Sequence, residues 1–329
     1  MIAVSYHDKV NVLQGIDLAS AGPFDRADWF ALLAQYSESP PLIALASDGK
    51  AVLALPLVAA NHRLEPLLNW YSFTWRPLMS DGAAQERLAV ALARDLRRRT
   101  HRVTLWPLPD EDGSASLLER AFRDGGWRVG RQMCDSNHVL PVKGRSYAEY
   151  LASRPGPLRT TLKRRSRYVE IKIIEYFDDN AWIIYDEIYR KSWKPTEGNP
   201  ALLRAFAEAE GKAGRLRLGI ARHEGRPVAA QFWTVDGGTA WIHKLAHLED
   251  TRHLSAGTSL TAALFEYVID RDRVSLVDFG TGDDPYKRDW MDEVRPRYRL
   301  DCHNPANPRS WPHIVRAAVQ RLVSGGEHG

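Results

Sequence analysis

The strongest constraint on how this chain folds is an order of elements that it runs through twice. In the second half, residues 215–222 (RLRLGIAR) alternate polar and apolar positions as a strand does, and Glu224-Gly225 marks a turn. Residues 227–235 (PVAAQFWTV) read as a second strand ended by Gly237-Gly238, and 239–247 (TAWIHKLAH) as a third. A loop over 248–257 leads to a helix over 258–270, where Leu260, Ala263, Leu264, Tyr267 and Val268 recur at helical spacing. A short buried strand at 274–279, a short helix over 284–291 with Pro285 in its first turn and a last strand over 294–302 complete the series. The first half follows the same order: strands at 41–46, 51–60 and 66–75, with a hairpin turn at Asp48-Gly49, then a helix over 83–99. A strand at 103–106 follows, then a helix over 114–123 opened by a serine cap and closed by Gly125-Gly126, and a strand region over 127–140. Helices over 147–152, 158–169 and 181–191 separate the halves, a fourth over 201–210 leads into the second sheet, and 311–323 reads as a terminal helix.

This pattern predicts an α/β protein with mixed α+β sheets. It comprises two tandem domains, 1–143 and 144–329, joined near Lys143-Gly144-Arg145, each a mostly antiparallel twisted sheet flanked by helices. A length of 329 residues suits two domains. Lys plus Arg number 45 against 41 Asp plus Glu, a net +4 that is too small for a whole-surface nucleic-acid binder but leaves a local basic groove open. Two cysteines, Cys134 and Cys302, make no disulfide framework, and no C-x-x-C pair suggests a zinc site. The first residues lack the basic and long apolar regions of a signal peptide, and the longest apolar stretch, 51–60, is interrupted by Pro56 and too short to span a bilayer. A cytoplasmic location is expected, with peripheral membrane contact left open.

The sharpest local feature is Arg252-His253-Leu254-Ser255-Ala256-Gly257-Thr258, between a strand and a helix. Small residues there let backbone amides approach an anion, and the helix N-terminus adds partial positive charge, which suits a phosphate or diphosphate. A plain helix cap at Ser255 or Thr258, with Gly257 only turning the chain, uses the same residues. This loop, its helix and the later Val-Asp-Phe-Gly-Thr-Gly-Asp-Asp-Pro-Tyr-Lys-Arg-Asp-Trp segment (277–290) resemble the GNAT acyltransferase superfamily. Within it, the chain is most similar to CelD/BcsL-like acetyltransferases, relatives of the FemAB-like double-GNAT proteins. The resemblance covers roughly 147–302, and the first half matches by element order alone. Arg252 and Gly257 fit the superfamily loop pattern, whereas Ser255 stands where that pattern has its first glycine.

The resemblance implies an acetyl- or acyl-CoA co-substrate, with no permanently bound cofactor. The donor would lie in a splay between the third strand and the strand at 274–279, its diphosphate on Arg252, His253, Ser255, Ala256, Gly257 and Thr258. Acylation of an amine needs a base for the attacking nitrogen, a donor to the oxyanion and a proton or charge for the leaving thiolate. By the period-two rule His243 and His247 share a face of the third strand and Lys244 takes the other. One histidine then serves as base, or both are partly buried and satisfied by hydrogen bonds. The spacing of these two with His253 matches no metal motif. Asp278 ends a buried strand and is a second base candidate, or binds a lysine or a turn. Asp284 precedes Pro285 as a helix cap, leaving Asp283 for substrate contact. Tyr286 is placed to protonate the thiolate or to pack as an aromatic, and Lys287 to bind an anion or to pair with Asp278 or Asp283.

On the acceptor side stand Trp193, Lys244, His247, and Arg159 with Lys163, four residues apart within the basic run 159–167; a solvated helix face explains that run equally well. Arg97-Arg98-Arg99 fits a helix C-terminus. The function so implied is an acyl-CoA-dependent N-acyltransferase acting by direct attack in a ternary complex. Its acceptor is a small-molecule or lipid or sugar amine, in cell-envelope, exopolysaccharide or lipid metabolism. The alternatives are a FemAB-type aminoacyl-tRNA-dependent ligase, the one reading that brings in nucleic acid as tRNA, and a non-catalytic GNAT-fold binding module. The assembly is a monomer or homodimer.

Overall fold

The computed structural model describes residues 1–316 apart from 21, 62, 81 and 83. The chain divides into two compact units, Met1–Asp135 with Arg295–Gly329, and Ser136–Val294.

The first unit holds β1 (Ala3–His7), α1 (Ala27–Tyr36), β2 (Pro41–Ser47), β3 (Val52–Ala60), β4 (Arg63–Pro66), β5 (Leu78–Met79), α2 (Gln85–Leu96), β6 (Arg102–Leu108), α3 (Ser114–Asp124) and the start of β7 (Arg128–Pro141). The Asp48-Gly49 hairpin forms because the Asp48 carboxylate accepts from the amides of Lys50 (3.0 Å) and Ala51 (2.9 Å). Gly49 takes a φ of 92° at this turn. The apolar stripe of α2, Leu88, Ala89, Leu92, Ala93 and Leu96, is buried against β2 and β3. Part of the expected helix start, at 83, lies outside the described residues. The cap of α3 is Gly113 in a left-handed conformation, and the expected cap, Ser114, is its first helical residue.

One expected strand is absent. Residues 67–77 hold no regular element, yet Leu67, Tyr71, Phe73 and Trp75 are buried. Their apolar character fills space instead of lining a sheet, and the third strand is the four residues of β4.

The second unit holds the end of β7, then α4 (Tyr147–Ala152), α5 (Gly156–Arg165), β8 (Glu170–Ile174), α6 (Asp179–Arg190), α7 (Pro200–Lys212), β9 (Leu216–His223), β10 (Arg226–Asp236), β11 (Thr239–His247), α8 (Ala256–Glu266), β12 (Leu276–Thr281) and the first residues of β13 (Glu293–His303). Its sheet runs β7-β12-β11-β10-β9-β8, with every neighbour antiparallel except β11–β12. On one face α8 and α5 cover Trp233, Ile242 and Ala221; on the other α6 and α7 bring Trp182, Tyr185 and Phe206 onto Phe232. Gly219 allows α8 to lie close on β9, since a Cβ there would stand 2.8 Å from Leu260 Cδ1.

Two departures from the sequence reading matter. Each repeat opens with a strand that the sequence does not announce, β1 and β8, because five-residue strands carry too little alternation, whereas the helix expected over 181–191 is α6. The junction also differs from the expected 143/144 boundary: each unit takes its last strand from the other half of the sequence. Residues 298–303 of β13 pair with β6 in the first unit, and 137–141 of β7 pair with β12 in the second. Strand pairing at such separations leaves no local mark in composition. The terminal helix opens at residue 311, and its expected course beyond 316 lies outside the described residues.

Candidate functional site

The site of the second unit is set by where two parallel strands stop pairing. β11 and β12 pair only over Thr239–Trp241 and Leu276–Asp278, although β11 continues to His247 and β12 to Thr281. At the same level β10 changes register: Phe232 lies opposite Lys244 and Trp233 opposite Ile242, so His243 is an extra residue, a β-bulge. The bulge breaks the period-two alternation. The expected pairing of His243 with His247 on one face is therefore corrected: His243 and Lys244 both turn to the α6–α7 face, and His247 to the α8 face. The His243 ring stacks on Phe232 (4.9 Å), meets Phe206 edge-on (5.2 Å) and hydrogen-bonds Thr234 Oγ1 through Nε2 (2.8 Å). Lys244 Nζ lies 3.5 Å from Glu197 Oε2 and 5.5 Å from the Tyr189 ring centre.

At the far end of β11 the chain makes a 3-10 turn, Glu249–Leu254, that exposes Arg252 and His253. Ser255 follows in the left-handed region (φ 53°, ψ 37°), and α8 begins at Ala256, two residues before the expected start. Ser255 makes no side-chain cap, so the amides of Ala256, Gly257 and Thr258 form the open first turn of the helix. A Cβ on Gly257 would stand 3.3 Å from His247 Cδ2, so glycine lets the helix start close against β11. Trp193 leans on the other side of His247 (4.1 Å between ring centres). Burial holds the His247 pKa below the ordinary histidine value, which keeps the ring neutral at neutral pH.

The segment after β12 divides the remaining candidates. Asp278 is buried and accepts from Asn137 Nδ2 (3.0 Å) and the Gly280 amide (2.7 Å), which ties β12 to β7. Lys287 is 4% exposed and donates to the carbonyls of Thr281 and Gly282, so it clamps the turn. Asp283 receives Arg288 (2.6 Å) and His138 Nε2 (2.8 Å), which hold its carboxyl below the usual range. Tyr286 meets Phe279 edge-on. Although 42% of the residue is exposed, the surroundings of its hydroxyl push the pKa up to about 12, so the phenol keeps its proton.

The loop between α6 and α7 supplies residues that the sequence reading passed over. Glu197 keeps 7% of its side chain exposed beside Lys244, and burial lowers the pKa of both Lys194 and Lys244. The Asp284 charge acts on Lys194. Tyr189, on α6, is raised to about 12 by burial. A Trp-Lys-Pro-Thr-Glu loop has no periodicity to show that it folds back onto β11, and Asn137 and His138 meet their partners across about 140 positions of sequence. Arg159 and Lys163 are exposed on α5, on the sheet face opposite Lys244, and do not join this group. Among the described residues no cluster of three metal-binding side chains occurs.

A shortened parallel pairing, a bulge beside it and a helix start packed on the end of β11 lie close together along that strand. Residues 158–288 match the acetyltransferase (GNAT) domain family. The matched segment spans all of the catalytic and donor-loop candidates above. Among solved structures, the chain is similar to FemX (9% identity, TM-score 0.61, covering 85% of this chain and 92% of that one). It is also similar to the C-terminal DUF2156 domain of a putative lysylphosphatidylglycerol synthetase from Agrobacterium fabrum (13%, 0.56, 88% and 91%). A third is a tandem GNAT protein from the clavulanic acid biosynthesis pathway (13%, 0.52, 91% and 98%). A search of the curated proteins finds no significant match. At these identities the likeness is one of fold: a GNAT-type α/β architecture shared with tandem GNAT proteins.

Proposed function

We propose that the chain is an acyl-CoA-dependent N-acyltransferase of the CelD/BcsL-like kind, moving an acetyl or longer acyl group to an amine acceptor. One observation carries the reading: the gap between β11 and β12 leads to the open first turn of α8. The donor diphosphate lies on the amides of Ala256, Gly257 and Thr258, with Arg252 and His253 adding charge outside. The thioester carbonyl lies at the bulge, where main-chain amides take the oxyanion. The acceptor enters beside Trp193 and Lys194.

The acceptor nitrogen attacks the carbonyl carbon and its proton passes to Glu197, which Lys244 positions. The C–S bond then breaks, and the thiolate takes its proton from Tyr286. In this scheme His243, held between aromatic rings, keeps the bulge in shape, and Asp278 and Lys287 hold the flanking turn. The test is a series of CoA esters of rising chain length, scored by ligand-induced stabilisation and then by thiol release with amine acceptors. Tyr286→Phe is expected to lower kcat about a hundredfold with little change in KM. Absence of stabilisation by every CoA ester, together with stabilisation by aminoacyl-tRNA, would replace this reading with the FemAB-type one.

A further inference from the structure

Elsewhere on the second unit, Arg190 pairs with Asp186, Arg204 with Asp179 and Glu208, Arg226 with Asp250, Arg271 with Glu175 and Arg288 with Asp283, and the exposed arginines outside such pairs, Arg252 and Arg273, stand singly. The α5 segment breaks this pattern. Arg159, Lys163, Arg164, Arg165 and Arg167 are all exposed, and among the described residues none has an ion-pair partner. The reason is written in the sequence, because residues 151–169 contain no Asp or Glu. The opposite side of α5 is anchored by buried Leu158 and Leu162, so the helix cannot roll its charges inward. Five like charges within nine residues repel one another, and among the described residues no carboxylate pairs with them. Three of them cluster at the helix C-terminus, where the dipole favours cations, but one terminus does not account for charges running from 159 to 167.

The shape of the patch restricts what can neutralise it. The side chains diverge from a convex helix, so they do not converge on one small anion. Tyr168, at the end of the patch, is 38% exposed, and its ring is already faced by Arg167 (5.1 Å) and Arg165 (5.9 Å). It therefore offers no bare face for a nucleobase, and a convex helix provides no groove to follow a nucleic-acid backbone. A broad field of phosphates does fit: divergent cations each find one, and an exposed tyrosine beside them suits the polar–apolar boundary of a membrane. We propose that the exposed face of α5 and the turn after it, residues 159–168, dock the protein on an anionic lipid bilayer. The cations lie on the sheet face away from Lys244 and Glu197 but share that face with α8, so the test below reads docking and CoA-ester binding separately. Among the described residues no helix is long and apolar enough to cross a membrane, so the contact is with the surface.

The experiment is co-sedimentation of the full chain with phosphatidylcholine vesicles, with and without phosphatidylglycerol, over a range of salt. Binding is expected only with phosphatidylglycerol and is expected to weaken as salt rises. Each of Arg164→Gln, Arg165→Gln and Arg167→Gln should lower the partition coefficient about fivefold. The corresponding lysine variants should keep most of the binding, because charge and not guanidinium geometry is being read. Failure to sediment with anionic vesicles, binding that ignores all three glutamine changes, or salt-sensitive retention of RNA without vesicle binding would overturn the proposal. Stabilisation by CoA esters is measured on the same variants. Its persistence separates loss of docking from loss of the transfer site.

Discussion

The two units share an element order but treat the corner after the third strand in opposite ways. In the second unit β11 runs nine residues, passes a bulge and reaches the α8 N-terminus through one short turn, leaving the space beside β12 free of strand pairing. In the first unit β4 stops after four residues, and the chain between it and α2 turns back into that corner. Trp75, 1% exposed, donates its indole N–H to the Pro56 carbonyl (3.1 Å) and its main-chain amide to Pro107 (2.9 Å). Leu67, Tyr71 and Phe73 fill the space around it. The corner is filled by aromatic side chains in one copy, and in the other the parallel pairing stops short of it.

The comparison can be broken at its plug. Trp75→Ala should cost about 4 kcal/mol of stability through the cavity it leaves, with KM for the acyl donor unchanged, as measured by denaturant unfolding and steady-state kinetics. A large KM change would mean that the first unit shares in donor binding. In the second unit, Gly257→Asp places a carboxylate among the α8 amides proposed to hold the donor diphosphate. Donor affinity should fall by about a hundredfold or more, read by calorimetry, with Gly257→Ala as the control for the close packing on His247; affinity equal in the two variants and in the parent would show that the corner does not hold the donor.

A third test uses acid. Burial lowers the pKa of His303, in the first unit, from 6.5 to about 4. The unfolded chain therefore takes up a proton before the folded one does. The His303 contribution falls as pH drops from 6.5 towards 4, by about 3 kcal/mol at most, and is constant outside that window. His303→Gln should flatten this slope, and an unchanged acid profile would place the sensitivity elsewhere. The smallest expected effect is at Ser255. Its φ of 53° costs a non-glycine residue strain, so Ser255→Gly should stabilise by about 1 kcal/mol or less and leave donor affinity intact or slightly tighter.

Much of the framework is legible in the residues. The Thr239–His247 strand, the stripe of α2 and the Asp48-Gly49 hairpin follow from alternation, helical spacing and turn chemistry. The turn into α8 is legible as well, because small residues before an apolar periodic run mark a helix start, which the structure places at Ala256. The acceptor side is not. His243 and Lys244 change face through one inserted residue, and Glu197 acquires its environment from a loop with no periodic signal. Asp278 and Lys287 look reactive in sequence, but Asn137 and the carbonyls of Thr281 and Gly282 engage them in the fold.

The sequence by itself determined the repeated order of elements, the small-residue turn before α8 and the acid-free run that makes α5 basic, because each depends on neighbours within a few positions. Tertiary structure alone decided which copy has its corner filled, which strand completes which sheet, and which charged side chains are held by partners. Those outcomes depend on groups brought together across a hundred or more residues, where pairing and packing leave no local trace.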